Sequence, residues 1–348
     1  MSEKQKVWAL RIFTVAAVLF LGATILNASW MAPDPAGGPK LIAHRGVAQL
    51  QAEPGACGAR GIEQPVHDFT ENTTRSIGQA RLSTAQLVEV DVRQSADGAL
   101  VLFGDVRLEC RTDGEGAVSD RTLEELQALD VGYGYSVDGA EFPLRGNALD
   151  TIPTLEQTLA ASPRDPLLFH LTGDAASADL LAQHLKAAER DVRRRSDAFY
   201  GSAAAVARMR ELYPENWAFT LEDAYSCASS YKLYGWTGIL PASCKGATMA
   251  IPLDGQFLFW GWPNRLIDRM ESAGGRVLVV AGDGADGVPD GLVLPEQLGD
   301  IPSSFNGYIW VDDIWTVGPS LRPSTERRTR EEQLRAREGI TRRRERLD

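Results

Sequence analysis

Residues 41–46 read LIAHRG, three apolar residues followed by His44, Arg45 and a glycine. A run of this kind is typical of a short buried strand that ends where its polar residues begin. Similar apolar runs recur at 86–93, 99–103, 166–171, 198–201, 217–221, 247–253, 277–281 and 307–311. Amphipathic stretches that favour helices lie between them, at 74–82, 122–129, 154–161, 176–189, 203–212 and 263–273.

This alternation of strands and helices predicts an α/β protein, a (β/α)8 TIM barrel. The alternative is an open doubly wound sheet, which usually shows a glycine-rich phosphate turn near its start. We expect the barrel to cover 40–320, between an N-terminal anchor and linker, 1–39, and an Arg-rich tail, 321–348.

The composition indicates a globular protein with a substantial core. The chain has 348 residues, of which 44% are hydrophobic and 24% charged. Its net charge of −11 argues against general nucleic-acid binding, because a protein that neutralises phosphates needs a basic surface. A small or lipid-like substrate fits this composition better.

The N-terminus resembles an export signal or an anchor. Lys4, Lys6 and Arg11 precede the uncharged run IFTVAAVLFLGATIL at 12–26. The residues around Ala28 form a poor cleavage site, which favours an uncleaved signal anchor and an exported, periplasmic barrel. Cleavage would instead give a secreted protein. A buried helix of a soluble domain is the alternative, and the linker APDPAGG at 32–38 argues against it.

The four cysteines agree with export. None has the C-x-x-C spacing of a zinc site. In an oxidising compartment we expect Cys57 to pair with Cys110 and Cys227 with Cys244. Four free buried thiols in a cytosolic protein are the alternative.

The C-terminal tail differs from the rest of the chain in charge. Residues 322–348 contain ten arginines and six acidic residues. We expect a solvated tail, partly helical or disordered. An electrostatic contact with anionic lipid headgroups near the anchor is the alternative.

The candidate chemistry lies at strand ends, where barrel enzymes carry catalytic groups. His44 suits proton transfer near neutral pH, and Arg45 suits a phosphate. Glu89 and Asp91 alternate with valines on one strand, so both side chains face the barrel interior. Two such carboxylates suit a hard cation, Mg²⁺ or Ca²⁺. The alternative is a strand whose acids face solvent.

Several ordered motifs resemble the glycerophosphodiester phosphodiesterase family. They are LIAHRG, ENT at 71–73, VEVDVRQSADGALVLFGD at 88–105 and LECRTDGEGAVSDRTLEELQALD at 108–130. Two later segments, 233–244 and 259–270, are similar to an exported bacterial branch of that family. The resemblance implies a TIM barrel that uses a divalent metal and two histidines to release an alcohol and glycerol 3-phosphate.

The resemblance also implies roles for single residues. His44 would be a catalytic histidine and Arg45 a phosphate contact. Glu89 and Asp91 would be metal ligands, and Glu71 a ligand or an orienting partner. The substrate would be a glycerophosphodiester or another phospholipid-derived diester. The contact with the membrane is predicted separately, from the charges and the apolar run of the N-terminal helix.

Two departures from the family pattern affect catalysis. Gly104 stands where the family has its second histidine, and His170 and Thr172 stand where it has E-x-K or N-x-K. His170 is our candidate for the missing catalytic histidine, and His67 is the alternative.

Three functions remain open at this stage. The first is a membrane-anchored, exported phosphodiesterase. The second is a non-catalytic relative that binds a phosphodiester or acts as an envelope interaction protein. The third, a carbohydrate-active barrel that uses Glu89 and Asp91, is disfavoured by the HRG and ENT motifs.

Overall fold

The computed structural model describes residues 2–52, 57–147, 149–285 and 288–347. Its strands are β1 Lys40–Ala43, β2 Leu87–Gln94, β3 Leu100–Leu102, β4 Leu167–Leu171, β5 Ala198–Gly201, β6 Trp217–Phe219, β7 Thr248–Pro252, β8 Arg276–Val280, β9 Gly282–Ala285, β10 Val288–Asp290 and β11 Tyr308–Val311. Its helices are α1 Glu3–Leu26, α2 Thr74–Leu82, α3 Leu123–Gln127, α4 Leu155–Ala161, α5 Ala175–Ala187, α6 Val192–Arg195, α7 Ala203–Leu212, α8 Leu221–Tyr234, α9 Asn264–Ser272, α10 Ile314–Leu321 and α11 Arg330–Leu347.

The chain divides into two compact units. The first unit comprises 1–39, 221–282 and 301–308. The second unit comprises 40–220, 283–300 and 309–348. Every residue that the sequence proposes for catalysis or metal binding belongs to the second unit.

Parallel strands form the centre of the second unit. They lie in the order β6, β5, β4, β2, β1, β11, and β3 pairs antiparallel with β2. The register sets Ala43 of β1 opposite Val88 of β2, and Asp91 of β2 opposite His170 of β4. Because parallel strands end at the same edge of a sheet, this register brings polar residues from β1, β2 and β4 together.

The first unit carries the parallel pair β7 and β8, in which Met249 lies opposite Val277. Helix α9 buries Leu266, Ile267 and Met270 on one face. Helix α1 has 24 residues, none of them buried, and it is the one helix in the described chain that is long and apolar enough to cross a membrane. Anchoring by α1 stays a prediction.

The linker after α1 does not separate this helix from the fold as the sequence suggested. Ser29 accepts a hydrogen bond from the backbone N–H of Asn264, at 3.1 Å. Asp34 accepts one from the side-chain amide of Asn264, at 2.6 Å, and Asn306 donates to the carbonyl of Ala36. These contacts attach the linker to the first unit along its length.

Most predicted elements occur with small shifts at their ends. β5, α2 and α7 have the predicted bounds. The predicted strand at 217–221 is wrong at its end, because α8 begins at Leu221 and places Glu222 and Asp223 in its first turn. Carboxylates there favour a helix start through the helix dipole. The sequence analysis did not anticipate α8, or the pair β9 and β10.

Both disulfides occur as expected. Cys57 is bonded to Cys110 within the second unit, and Cys227 to Cys244 within the first. The prediction of two pairs is confirmed, and the alternative of four free thiols is wrong.

The Arg-rich tail is not wholly solvated, contrary to our expectation. It forms α11, which buries Ala336 and Arg343 within the second unit. The Arg343 side chain is 3% exposed and pairs with Glu63 and Asp313, both at 2.8 Å. Buried guanidinium groups need such partners, and these two carboxylates attach α11 to distant segments of the chain. The alternative interpretation of the tail, an electrostatic contact with anionic lipid headgroups, stays a prediction.

We predict that Arg343→Ala lowers the free energy of unfolding by about 3 kcal/mol, because it leaves the buried Asp313 carboxylate without its positively charged partner. Denaturant titration followed by circular dichroism measures the change. Arg346→Ala is the matched control: Arg346 pairs with the same Glu63, but its side chain is 33% exposed. We expect the control to lose at most about 1 kcal/mol. Equal losses in the two variants would contradict the internal role of Arg343.

Candidate active site

Asp91 is the most heavily bonded residue of the candidate site. Its carboxylate lies 2.8 Å from the Nε of Arg45 and 2.6 Å from the Nδ1 of His170. The side-chain amide of Asn72 donates to it at 2.8 Å, and Asn72 accepts the backbone N–H of Asp91 in return. Burial acts to raise the pKa of Asp91, but Arg45 and His170 together hold it well below its usual value.

Glu89, two residues earlier on β2, is fully buried. It accepts hydrogen bonds from the Tyr200 hydroxyl at 2.8 Å and from the backbone N–H of Arg45 at 2.9 Å. Burial and the neighbouring Asp91 raise the pKa of Glu89. The prediction that both carboxylates face inward agrees with these contacts, and the alternative of acids in solvent is wrong.

His44 follows β1 and is held by a carboxylate that the sequence analysis missed. Its Nδ1 lies 2.9 Å from Asp312, which directly follows β11, and its ring lies against Trp310 with centroids 5.5 Å apart. Asp312 is fixed in turn by the backbone N–H of Gly291, at 2.8 Å. The buried Nε2 of His44 has no hydrogen-bond partner in the described part of the chain. This nitrogen is therefore available for proton transfer.

The electrostatics of His44 favour its charged form. Burial and the Arg45 charge act to lower its pKa, but the hydrogen bond and the charge of Asp312 leave that pKa above its ordinary value. Glu89 contributes in the same direction. An imidazole of raised pKa, oriented by a carboxylate, suits a general acid near neutral pH.

Glu71 has partners of its own. Arg111 donates to one carboxylate oxygen, and the Tyr135 hydroxyl to the other at 2.5 Å. Arg111 also pairs with Asp105 at 2.9 Å, and it directly follows Cys110 of the first disulfide. The group of side chains that could hold a metal ion contains Glu89, Asp91 and His170, without Glu71. Both carboxylate oxygens of Glu71 thus accept hydrogen bonds, so Glu71 is better placed to orient its neighbours than to bind a metal.

The side chains of Asp91 and Arg45 lie so close to Gly104 that any larger residue there would contact them. A Cβ atom there would lie 2.9 Å from the Asp91 carboxylate and 3.2 Å from the Arg45 guanidinium carbon. Both distances are shorter than ordinary carbon contacts. The ion pair between Arg45 and Asp91 thus takes the space next to the position where the family pattern has a histidine.

Arg93 contacts both departures from the family pattern, and the sequence analysis did not anticipate it. Its guanidinium donates to the Gly104 carbonyl at 2.6 Å and to the Thr172 hydroxyl at 3.1 Å. A positive charge therefore lies beside the position where the family pattern has a lysine. The signal in the sequence was an arginine two residues beyond Asp91 on the same strand.

Of the two alternative histidines, the structure brings His170 to the site. His170 is buried, lies beside Asp91 and stacks on Tyr200 with centroids 4.2 Å apart. His67 instead contacts Gln49, the backbone of Phe69 and the ring of Trp315. Among the described residues, His67 makes no hydrogen bond or ring contact with His44, Glu89 or Asp91.

Comparison with known proteins agrees with this geometry. The model of the "Glycerophosphoryl diester phosphodiesterase family" matches residues 44–220, slightly more than half of the chain. The chain belongs to this family. The family assignment confirms the resemblance, and phosphoric diester hydrolysis is the reaction for which the family is named.

Individual relatives cover less of the protein. An uncharacterized protein of Mycobacterium tuberculosis is 35% identical over 158 residues, 45% of this chain and 46% of that protein. The chain thus spans about half the length of that curated relative.

Two solved structures are similar in fold. A glycerophosphodiester phosphodiesterase from Agrobacterium tumefaciens has a TM-score of 0.53 and 22% identity, over 80% of this chain and 99% of that one. A phosphodiesterase from Oleispira antarctica, in complex with the product sn-glycerol-3-phosphate, has a TM-score of 0.50 and 19% identity, over 82% and 97% of the two chains. The predicted TIM-barrel fold is confirmed.

We predict a pH dependence of stability that belongs to His67. Burial lowers its pKa from 6.5 to about 4, although Asp313 and Asp68 oppose the shift, and Arg75 and Arg343 add to it. The folded state therefore resists protonation. The stability that comes from burying a neutral His67 is fully present above pH 6.5. Up to about 3 kcal/mol of it is lost as the pH falls toward 4.

The pH dependence is checked by denaturant titrations at a series of pH values between 7 and 4. His67→Phe should reduce the decline toward low pH, whatever its effect at neutral pH. His184→Phe is the control: His184 pairs with Glu156 outside the site and should keep the decline. An unchanged slope in His67→Phe would contradict the assignment.

Proposed function

We propose that this protein is a membrane-anchored, exported phosphodiesterase that hydrolyses glycerophosphodiesters or related lipid-derived diesters. The observation that carries the proposal is the pair of His44 and Asp312. It presents a buried Nε2 atom, without a hydrogen-bond partner among the described residues, next to residues that suit a phosphate and a cation. Family membership supplies the reaction class to which this geometry is suited.

His44 would transfer a proton between its Nε2 and an oxygen of the diester, while Asp312 keeps the ring oriented through Nδ1. Arg45 and Arg93 would bind the phosphate oxygens, because guanidinium groups match phosphate in charge and shape. His170 would supply the second imidazole that Gly104 does not provide. Its Nδ1 is committed to Asp91, which leaves Nε2 as the atom for any proton transfer.

A divalent cation, Mg²⁺ or Ca²⁺, fits the carboxylates of Glu89 and Asp91, beside His170. Ligand atoms of Glu89, Asp91 and His170 lie within 4.8 Å of one another. When bound, the cation would supply positive charge that neutralises the phosphodiester and polarises its P–O bonds. Arg45 already compensates Asp91 through an ion pair. A cation and Arg45 would therefore share the neutralisation of one carboxylate.

The substrate class and the location rest on separate observations. The similar phosphodiesterase from Oleispira antarctica was solved with sn-glycerol-3-phosphate, which supports a glycerophosphodiester-type substrate. The apolar helix α1 and the two disulfides support an anchor and an oxidising compartment. Together they favour the cell envelope, with the anchor in the inner membrane and both units in the periplasm.

A non-catalytic binding protein is the second candidate, and Gly104 favours it. The residue that would complete the family's histidine pair is absent, and the Arg45–Asp91 ion pair occupies the neighbouring space. Such a protein would bind a phosphodiester through Arg45 and Arg93 without cleaving it.

We predict that the full-length protein in detergent releases the alcohol from glycerophosphocholine or glycerophosphoethanolamine with Mg²⁺ or Ca²⁺, and stops when chelator is added. His44→Ala should lower kcat by a factor on the order of 10² to 10⁴, because it removes the proton-transfer group. Coupled detection of the released alcohol measures the rate.

His184→Ala is the matched control for His44→Ala and should keep the wild-type rate. Calorimetric binding of glycerophosphocholine without turnover would favour the non-catalytic candidate. Equal rates in wild type and His44→Ala would overturn the assignment of His44, and turnover that resists chelator would overturn the metal proposal.

We predict that Gly104→His does not raise kcat above wild type, because its Cβ would displace Asp91 and Arg45 before the imidazole could act. Gly104→Ala introduces the same Cβ without the imidazole and is the matched control. Each variant should lose about 1 to 3 kcal/mol of stability through overpacking. A rise in kcat in Gly104→His but not in Gly104→Ala would contradict the prediction and would show that the position still accepts a histidine.

A further inference from the structure

The first unit exposes large apolar side chains in two segments. The first segment, 233–239, carries Leu233, Tyr234, Trp236 and Ile239. The second carries Phe257 and Leu258 in the 3-10 turn after β7. Phe257 is 81% exposed and Ile239 is 72% exposed. We call these six residues the apolar rim. Apolar side chains grouped in this way mark an interaction surface more often than isolated ones do.

The first segment lies at the end of α1. The side-chain amide of Asn27, the residue after the helix, donates to the carbonyl of Trp236 at 2.8 Å and to the carbonyl of Ala23 at 2.8 Å. One side chain thus joins the last turn of α1 to the middle of segment 233–239. The exposed tryptophan and tyrosine of this segment suit the headgroup level of a membrane.

The second segment lies beside α1 itself. The rings of Phe20 and Trp260 meet edge to face, with centroids 6.1 Å apart. Phe20 precedes Leu26, the last residue of α1, by six residues, which is about 9 Å along a helix axis. Trp260 therefore lies beside a part of α1 that would be within the bilayer if α1 spans it. Phe257 and Leu258 are two to three residues away in the chain.

A hydrogen bond and a cation–π contact connect the two segments. The Tyr231 hydroxyl of α8 donates to the carbonyl of Trp260 at 2.8 Å. Lys232 lies over the Phe259 ring, 5.2 Å from its centroid. The end of α8 and the loop that carries Phe257 are thus one connected piece, and Asn27 joins that piece to the helix.

We propose that the apolar rim inserts into the lipid bilayer next to α1, with Trp236 and Tyr234 at the headgroups and Phe257, Leu258 and Ile239 among the acyl chains. The proposal rests on the anchoring role of α1 in the proposed function. It places the apolar rim and the end of α1 together at the membrane, whereas the sequence suggested a linker that separates the helix from the rest of the chain. The contacts of Ser29, Asp34 and Ala36 within the first unit support this placement.

The test uses the full-length protein in phosphatidylcholine–phosphatidylglycerol nanodiscs. Its four native cysteines are in disulfides, so single cysteines can carry nitroxide labels. Labels at Ile239→Cys and Phe257→Cys should collide with oxygen severalfold more often than with a water-soluble nickel complex. Ser272→Cys is the matched control in the same unit, at the exposed end of α9. The Asn306 amide donates both to the neighbouring Glu271 and to the carbonyl of Ala36 in the linker. The label at Ser272→Cys should show the opposite preference.

A label at Val15→Cys, in the middle of α1, separates the rim from the anchor. If Val15 reports lipid while Ile239 and Phe257 behave like Ser272, the rim proposal is overturned and the anchor stands. If Val15 also reports water, both are overturned. If labels at the rim are shielded from both oxygen and the nickel complex, lipid insertion is overturned and a protein partner covers the rim instead. Dipolar broadening between labels would identify that partner as a second copy.

Discussion

The buried carboxylate of Asp91 is the constraint on which the rest of the site depends. A carboxylate that is almost fully removed from water is stable only if nearby charges and donors replace its hydration. Arg45, His170 and Asn72 supply that replacement, and they come from the ends of three different segments. The requirement of one side chain therefore fixes the positions of β1, β4 and the turn before α2 relative to β2.

Gly104 follows from the same constraint. Because Arg45 lies over Asp91, a side chain at position 104 would have to displace one of these two groups. The glycine at position 104 and the ion pair between Arg45 and Asp91 are thus two parts of one arrangement. Arg93 extends it, since its guanidinium contacts both Gly104 and Thr172. Arg45 and Arg93 thus place positive charge beside positions 104 and 172, where the family pattern has a histidine and a lysine.

The sequence predicted the features that depend on local pattern. The strand period put Glu89 and Asp91 on one face, the apolar runs located β1 and β5, and cysteine usage gave both disulfides. It could not show Asp312 as the partner of His44, because the two residues are 268 positions apart and only the pairing of β1 with β11 joins them. Glu71 was assigned as a ligand or orienting residue, and its bonds to Arg111 and Tyr135 likewise arise from long-range folding. Arg343 was missed because an arginine in a charged tail carries no local sign of burial.

The charge of the site bears on whether catalysis persists. A bound cation and Arg45 would compensate the same carboxylate, so each would weaken the need for the other. The Arg45–Asp91 pair already neutralises part of the charge on the buried carboxylates, which would lower the affinity of the site for a cation. A substrate phosphate would compete with Asp91 for Arg45 and so release carboxylate charge for the cation. Substrate and cation would then bind cooperatively, which allows a weak resting metal site and a working phosphodiesterase to be the same molecule.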